Sequence, residues 1–152
     1  MRSTAATIPA AGRVLGVDLG SVRIGVAVCD SGQRVATPVT FVARDPGTGA
    51  HRQALADLAA EHEAVGVVVG LPRSLSGRIG PAAREALAET GELRRVLDVA
   101  VETVDERLST RSAAAALRAS GRGSRDQRRL IDASAAAVLL QVWLDTRSGS
   151  QR

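Results

Sequence analysis

Apolar residues in the first third of the chain follow the two-residue repeat that is typical of β-strands. Candidate strands cover residues 13–19, 23–29 and 34–42, and short turn sequences rich in Gly, Ser and Asp separate them. We therefore expect an antiparallel meander of three strands. Pro38, inside the third strand, predicts an edge strand or a bulge, because proline cannot donate a hydrogen bond to a neighbouring strand.

Beyond residue 47 the pattern alternates between helical spacing and short apolar runs. Helices are predicted over 48–63, from Pro81 to about 93, from Ser109 or Thr110 to 121, and from 124 to about 145. The runs "AVGVVVGLP" and "VLDVAVETV" between them are typical of buried parallel strands. The order βββαβαβαα predicts an α/β fold: one mixed sheet, antiparallel over its first three strands and parallel afterwards, with helices on both faces.

The length of 152 residues favours a single domain, here predicted over 13–145. Residues 1–12 and 146–152 are mostly small and polar, so we expect a disordered extension and a flexible tail. No apolar segment has the length of a signal peptide or a membrane span, which predicts a cytoplasmic protein without a membrane partner. Cys29 is the only cysteine, which excludes an internal disulfide and predicts a buried free thiol.

Composition narrows the ways in which this chain could bind nucleic acid. It has one Phe, one Trp and no Tyr, too few aromatic platforms for gripping single strands by base stacking. Every basic residue is arginine, and the net charge is +4. Because guanidinium groups match phosphate oxygens in pairs, any such binding should use the phosphate backbone and its shape.

Several acidic residues lie at positions where the surrounding sequence predicts burial. Asp18 interrupts the apolar first strand, and a buried acid is costly unless it is paired, hydrogen-bonded or bound to a metal. Asp105 and Glu106 follow the last predicted strand directly. Asp132 lies in the final helix, on the stripe that continues through Ala136. Strand ends and a helix face can converge at one edge of such a sheet.

Clustered carboxylates are stable together only with cations between them, and oxygen-only ligands select Mg²⁺ or Mn²⁺. Many enzymes that hydrolyse phosphodiesters use a site with two such ions. A structural alternative stays open for each acid: Asp105 could cap the following turn, and Asp132 could interact favourably with the helix dipole.

Five motifs resemble those of the YqgF family, also called RuvX, in order and spacing. They are "GVDLGSVRIGVAVCD", "ATPV", "VVVGLPRSLSGRIGP", "VDERLST" and "DASAAAVLLQVWLD", and they span residues 16 to 145. Each motif alone is weak, but five in order over nearly the whole chain form a specific pattern. The resemblance implies an RNase H-like fold.

The resemblance also implies a metal-dependent nuclease. The family is associated with maturation of the 5′ end of pre-16S ribosomal RNA, hence with ribosomal precursor particles, and with cutting branched DNA at Holliday junctions. Carried over by motif, the acids are Asp18, Asp105 or Glu106, and Asp132. The resemblance does not settle which of Asp105 and Glu106 ligates metal, but strand alternation sends them to opposite faces, so we expect only one to do so and favour Glu106. Asp18, Glu106 and Asp132 are then expected to hold Mg²⁺ or Mn²⁺, with two ions as the expected number.

Arginines near these acids are candidates for binding phosphates. The helix that carries Asp132 begins in an arginine-rich sequence, and helix N-termini attract phosphate. A Gly/Ser loop after "VVVGLP" could hold a phosphate between its own arginines. One more arginine, in the "DER" motif, could bind the scissile phosphate or pair with the acids. The set comprises Arg73, Arg78, Arg107, Arg122, Arg125, Arg128 and Arg129.

Two other functions compete with a nuclease. A non-catalytic nucleic-acid-binding or ribosome-assembly module would not need the acid set, which is intact here. A sugar kinase or actin-like ATPase, suggested by "DLGS", needs a far longer chain. The residues do not distinguish structured RNA from branched DNA as substrate, nor endonucleolytic from exonucleolytic cutting. Symmetric cutting of a junction would favour a homodimer.

Overall fold

The computed structural model describes residues 7–72, 78–108 and 125–150, with the backbone alone for residues 108, 125–132, 149 and 150. Five strands form one sheet in the order β3-β2-β1-β4-β5. Strand β1 pairs antiparallel with β2 and parallel with β4, β2 pairs antiparallel with β3, and β4 pairs parallel with β5. The strands are β1 (Val14–Leu19), β2 (Arg23–Cys29), β3 (Ala36–Ala43), β4 (Gly66–Leu71) and β5 (Ala100–Asp105).

Three α-helices lie within the described residues: α1 (Ala50–Glu61), α2 (Pro81–Val96) and α3 (Arg125–Ser150). A short 3₁₀ helix, Glu106–Leu108, follows β5 directly. The predicted α/β fold with a mixed sheet is confirmed. The helix predicted from Ser109 or Thr110 to 121 lies outside the described residues.

The sheet buries both of its faces, as the continuous apolar run of β4 predicts. On one face, Val14 and Val68 pack against α3 through Ala136 and Leu140. The alternate residues of the same strands form the second core, with α1 and α2. Its members include Leu15, Val17, Val67, Val69, Leu55 and Leu93. Helices therefore cover both faces, and α3 stands alone on its face among the described elements.

Strand β3 forms one edge of the sheet, and Pro38 lies within it. The pairing of β2 with β3 shifts by one residue between Val26, which is opposite Thr40, and Ala27, which is opposite Pro38. The prediction of an edge strand or a bulge at Pro38 is thus confirmed in both forms.

The expectation of a disordered N-terminal extension is wrong for residues 8–12. The Ile8 side chain is buried and fills the space that Gly66 leaves by lacking a Cβ. The Ile8 N–H donates to a carboxylate oxygen of Glu102 at 2.9 Å, and the Gly12 N–H donates to the Ser31 carbonyl at 2.8 Å. A single apolar residue beside a proline carries no periodicity, so its burial could not be read from local pattern.

The flexible tail predicted from residue 146 is also wrong as far as Ser150, because α3 continues to that residue. The Arg147 guanidinium stacks over the Trp143 ring, 4.7 Å from its centroid, and donates a hydrogen bond to the Ile8 carbonyl. The last turns of α3 therefore pack against the segment around Ile8. Cys29 is a buried free thiol, as expected.

Candidate active site

Four of the five strands have their carboxyl ends at the same end of the sheet, which we call its carboxyl edge. Strand β2 is antiparallel to both β1 and β3, so those two run in one direction, and β4 and β5 are parallel to β1. The residues at or just beyond these ends are Asp18, Arg44, Pro72 and Glu106. Open α/β sheets place their ligand sites at this edge.

A cleft of about 300 Å³ lies at this edge, between the strand ends and helix α2. Acidic, basic and small residues share its walls, and its volume is at the lower limit typical of ligand sites. It is lined by Asp18, Leu19, Ser21, Arg44, Pro72, Ala82, Glu85, Ala86 and Glu106.

Asp18 and Glu106 form a carboxyl–carboxylate pair in the cleft, joined by a hydrogen bond between their side chains. Burial, followed by repulsion from Asp18 and the hydrogen bond with it, raises the pKa of Glu106 from its ordinary value of 4.5 to about 7. Because two negative charges in such contact repel each other, Glu106 keeps its proton up to about pH 7.

Gly70 makes room for this pair. A Cβ on Gly70 would lie 2.8 Å from Oε1 and 3.1 Å from Cγ of Glu106, and still closer to Leu139 of α3. Strand β4 thus needs glycine here so that the Glu106 carboxyl can pass over it toward Asp18.

We expect Gly70→Ala to displace Glu106, lowering nuclease activity at least tenfold and the free energy of unfolding by about 1–3 kcal/mol through overpacking. Initial cleavage rates and chemical denaturation measure the two effects. The matched control is Gly91→Ala, in the middle of α2, where a Cβ meets open space. That variant should gain about 0.5–1 kcal/mol of stability and keep full activity. An active Gly70→Ala protein would contradict the role given to this glycine.

The Asp105 carboxylate pairs with Arg107, and its charge adds a smaller contribution to the raised pKa of Glu106. The strand alternates, so Val104 packs against α3 while Val101 belongs to the opposite core, and Asp105 falls on the latter side. Arg107 holds the Asp105 carboxylate with two side-chain nitrogens, at 2.6 Å from Nη2 and 2.9 Å from Nε, and with its main-chain N–H at 2.9 Å. Of the two uses expected for Arg107, pairing with an acid is the one observed.

Asp132 lies in α3, one turn before Ala136, and its side chain is outside the described part of the chain. The Ala136 carbonyl oxygen comes within 3.0 Å of the position of a Cβ on Gly16, so α3 lies directly on β1 there. The helix runs antiparallel to β1, since Arg147 reaches Ile8, before the strand begins. Four helical residues and two strand residues each span about 6–7 Å, which brings the Asp132 backbone level with Asp18.

The expected phosphate-binding arginines are described only in part. Arg78 is exposed in the segment that precedes α2, and Arg107 is exposed beside Asp105. Arg125, Arg128 and Arg129 belong to the first two turns of α3, without described side chains. Arg73 and Arg122 lie outside the described residues, as do Ser74 and Ser76 of the Gly/Ser loop. The described residues contain no group of three or more potential metal ligands.

Two charged residues that line the cleft, Arg44 and Glu85, were not predicted from the sequence. Arg44 directly follows β3, whose carboxyl end lies at the same edge as that of β1. Counting strand directions in the predicted meander would have placed it there. Glu85 has no such signal, because its position depends on how α2 packs.

A mixed five-stranded sheet with a carboxyl pair at the ends of β1 and β5 is the architecture of RNase H-like domains. The chain belongs to the RuvX family, described as Holliday junction resolvase, whose family model matches residues 12–146. The chain therefore falls among hydrolases that act on nucleic acids, as the motifs "GVDLGSVRIGVAVCD" and "VDERLST" predicted.

Relatives and solved structures agree with this assignment. The chain is 50% identical over 157 residues to a "Putative pre-16S rRNA nuclease" of Nocardia farcinica, covering 99% of this chain and 87% of that protein. A protein of the same name from Mycobacterium tuberculosis is 50% identical over 140 residues, covering 91% and 82%. The structure of T. thermophilus RuvC in complex with a Holliday junction substrate aligns with a TM-score of 0.55 at 18% identity, covering 91% of this chain and 97% of that one. This last likeness concerns the fold.

None of the helices in the described ranges has both the length and the hydropathy needed to span a membrane.

Proposed function

We propose that this protein is a divalent-metal-dependent nuclease that hydrolyses phosphodiester bonds in structured nucleic acid. Its role would be processing of the 5′ end of pre-16S rRNA, resolution of Holliday junctions, or both. The observation that carries the proposal is the contact between the Asp18 and Glu106 carboxyl groups in the cleft at the strand ends. In a family of nucleic-acid hydrolases, such a pair is best explained as a cation site.

The donor chemistry fits a hard divalent cation. Carboxylate oxygens are the ligands that Mg²⁺ and Mn²⁺ prefer, and a cation that replaces the shared proton lets both groups ionise. Asp18, Glu106 and Asp132 would hold the metal, with two ions as the expected number. When bound, the metal polarises the phosphate and activates water for attack on it.

Residues of this chain shape the remainder of the reaction site. Gly70 keeps Glu106 in place, and α3 brings the backbone of Asp132 level with Asp18. Asp105, expected among the catalytic acids, would act as a positioning residue that fixes the Arg107 guanidinium beside the cleft. The arginines at the start of α3 and in the loop before α2 would bind backbone phosphates on either side of the reacting one.

The names of the relatives favour RNA as the substrate, because both bacterial proteins are named for pre-16S rRNA. The family description and the RuvC fold favour branched DNA. Both substrates present the same phosphodiester chemistry, so a cleavage assay is needed to distinguish them.

Cleavage of two end-labelled substrates tests the proposal directly. A four-way DNA junction and a pre-16S rRNA 5′ leader are incubated with the protein in Mg²⁺, Mn²⁺ or EDTA. We expect cleavage with either metal and none in EDTA. Paired symmetric cuts in the junction would identify a resolvase and predict a homodimer, to be checked by sedimentation. Cleavage of the leader alone would identify an RNA-processing nuclease.

A non-catalytic binding module predicts the opposite result. It would bind one or both substrates with an affinity that the metal does not change, and it would cut neither, also when ribosomal precursor particles replace the naked leader. That outcome would overturn the proposed function.

A further inference from the structure

Arg44 is a partly buried cation in the wall of the same cleft as Asp18 and Glu106. Its main-chain N–H donates to the Val22 carbonyl at 2.9 Å, and its Nη1 donates to the Gly20 carbonyl at 3.1 Å. Only 11% of its side chain is exposed. The turn that follows Asp18 therefore holds the Arg44 guanidinium at a fixed place relative to the acid pair.

The charge of Arg44 is balanced mainly by one exposed acid. Its Nη2 donates to Oε1 of Glu85 at 2.9 Å, and the Glu85 side chain is 67% exposed. A second acid, Glu89, lies 4.0 Å away, but it is occupied by Arg52 at 2.6 Å and by His51 at 3.1 Å. Because the Glu85 end of this pair is open to solvent, its attraction to Arg44 is screened, and another anion can take its place.

We propose that Arg44 binds a backbone phosphate of the nucleic-acid strand entering the cleft, and that Glu85 takes the place of this phosphate in the free protein. Glu85 would then act as an internal competitor that weakens binding of any strand that does not displace it. This inference rests on the proposed function, since it assigns a contact for that substrate.

The chemistry of the cleft supports a phosphate at Arg44. The acid pair repels a polyanion, so a strand that reaches the pair needs a fixed cation beside it. Arginine binds phosphate with two parallel hydrogen bonds, in the geometry that it also uses for carboxylates. A phosphate can therefore replace the Glu85 carboxylate without moving Arg44.

Helix α2 adds to the same attraction. It begins at Pro81, and Ala82 in its first turn lines the cleft. The first turn carries no acid, and the N-cap residue, Gly80, has no side chain that could cap the helix. The positive end of the helix dipole thus opens toward the position assigned to the phosphate.

A purely structural ion pair is the competing explanation. Arg44 and Glu85 would then only join the end of β3 to α2, and removing either charge would lower stability without a selective effect on binding. The two explanations differ most clearly for Glu85→Gln, which should strengthen binding if Glu85 competes with phosphate and leave it unchanged if the pair is structural.

The test is binding of a fluorescein-labelled four-way DNA junction and a labelled pre-16S leader RNA in EDTA, where no cleavage is expected, at several salt concentrations. The variants are Arg44→Gln, Glu85→Gln and the double variant. The matched control is Arg84→Gln, which removes an exposed charge from α2 next to Glu85 but outside the cleft lining. Thermal melting of each variant reports on folding.

We expect Arg44→Gln to weaken binding about tenfold and to lower the salt slope by about one, as for one lost phosphate contact. The single variant Glu85→Gln should bind about threefold more tightly than the wild type. The double variant should bind no more tightly than Arg44→Gln alone. Arg84→Gln should change affinity by about twofold or less. If Arg44→Gln melts early, Arg44→Lys keeps the charge and should retain most of the affinity.

Equal effects of Arg44→Gln and Arg84→Gln, or unchanged or weaker binding by Glu85→Gln, would overturn the inference. If the wild type cleaves with Mg²⁺ while these variants show equal effects, only the inference fails and the nuclease function stands. If the wild type binds but never cleaves, the function fails, and the binding series still decides the role of Arg44.

Discussion

Asp18→Asn should abolish cleavage of whichever substrate the wild type cuts, with a loss on the order of 10³-fold or more, because a metal site supplies several kcal/mol of transition-state stabilisation. The asparagine side chain would keep the shape of the carboxylate and could still form hydrogen bonds, but it would lose the charge that attracts the cation. Single-turnover cleavage with excess enzyme measures this loss without contributions from product release. Binding of the uncut substrate should persist, because one less negative charge faces the phosphate backbone.

The control for Asp18→Asn is the same change at an acid far from the cleft. Asp57 is exposed on α1, where it accepts a hydrogen bond from Gln53 at 2.9 Å, and it does not line the cleft. Asp57→Asn should cleave at the wild-type rate. If Asp18→Asn retained more than about a tenth of the activity, several kcal/mol of metal-based stabilisation could not depend on Asp18, and the site would have to be placed elsewhere.

The fold could be predicted because its local signals agree with one another. The alternation in β1 to β3, the continuous apolar run of β4 and the Pro81 helix start all indicate the same mixed sheet. Strand directions then bring Asp18 and Glu106 to one edge, so the sequence alone indicates that these acids lie together. Side-chain alternation within β5 places Asp105 on the side opposite Val104, whereas Glu106 comes after the strand, in the 3₁₀ helix, where the two-residue repeat no longer applies.

What could not be predicted depends on contacts distant in sequence. Ile8 is buried because Gly66 leaves a space for it. Helix α3 continues past residue 145, where Arg147 contacts Trp143 and donates a hydrogen bond to the Ile8 carbonyl. Neither contact has a local periodic signal. The pairing of Arg44 with Glu85 likewise arises from the packing of α2 against the end of β3, 41 residues apart in the chain. Such pairs are set by tertiary structure and appear only with it.

The metal-free protein should lose stability as the pH rises from about 5 to 8, and Glu106→Gln should remove this dependence. The folded pKa of Glu106 is raised to about 7 from 4.5, so between these values the folded state binds a proton that the unfolded state lacks. Its contribution to stability is therefore complete below about pH 4.5 and is lost as the pH rises through 7. Melting temperatures measured in EDTA between about pH 5.5 and about pH 8 should fall by several degrees as the pH rises.

Mg²⁺ should act in the opposite direction, because it competes with the shared proton. Its stabilising effect should be small at about pH 5.5 and should grow toward about pH 8, as Glu106 ionises. Glu106→Gln should show little stabilisation by Mg²⁺ at either pH, and its cleavage rate should fall on the order of 10³-fold, as for Asp18→Asn.

Asp105→Asn separates the two acids of the "DER" motif in the same assay. Since Asp105 pairs with Arg107 and is assigned to position it, this variant should keep the response to Mg²⁺ and lose far less activity than Glu106→Gln. If Asp105→Asn lost the Mg²⁺ response while Glu106→Gln kept it, the two acids would have exchanged roles. A pH-independent melting temperature in the wild type would contradict the proton-sharing pair itself, because the raised pKa of Glu106 lies within the pH range of the measurement.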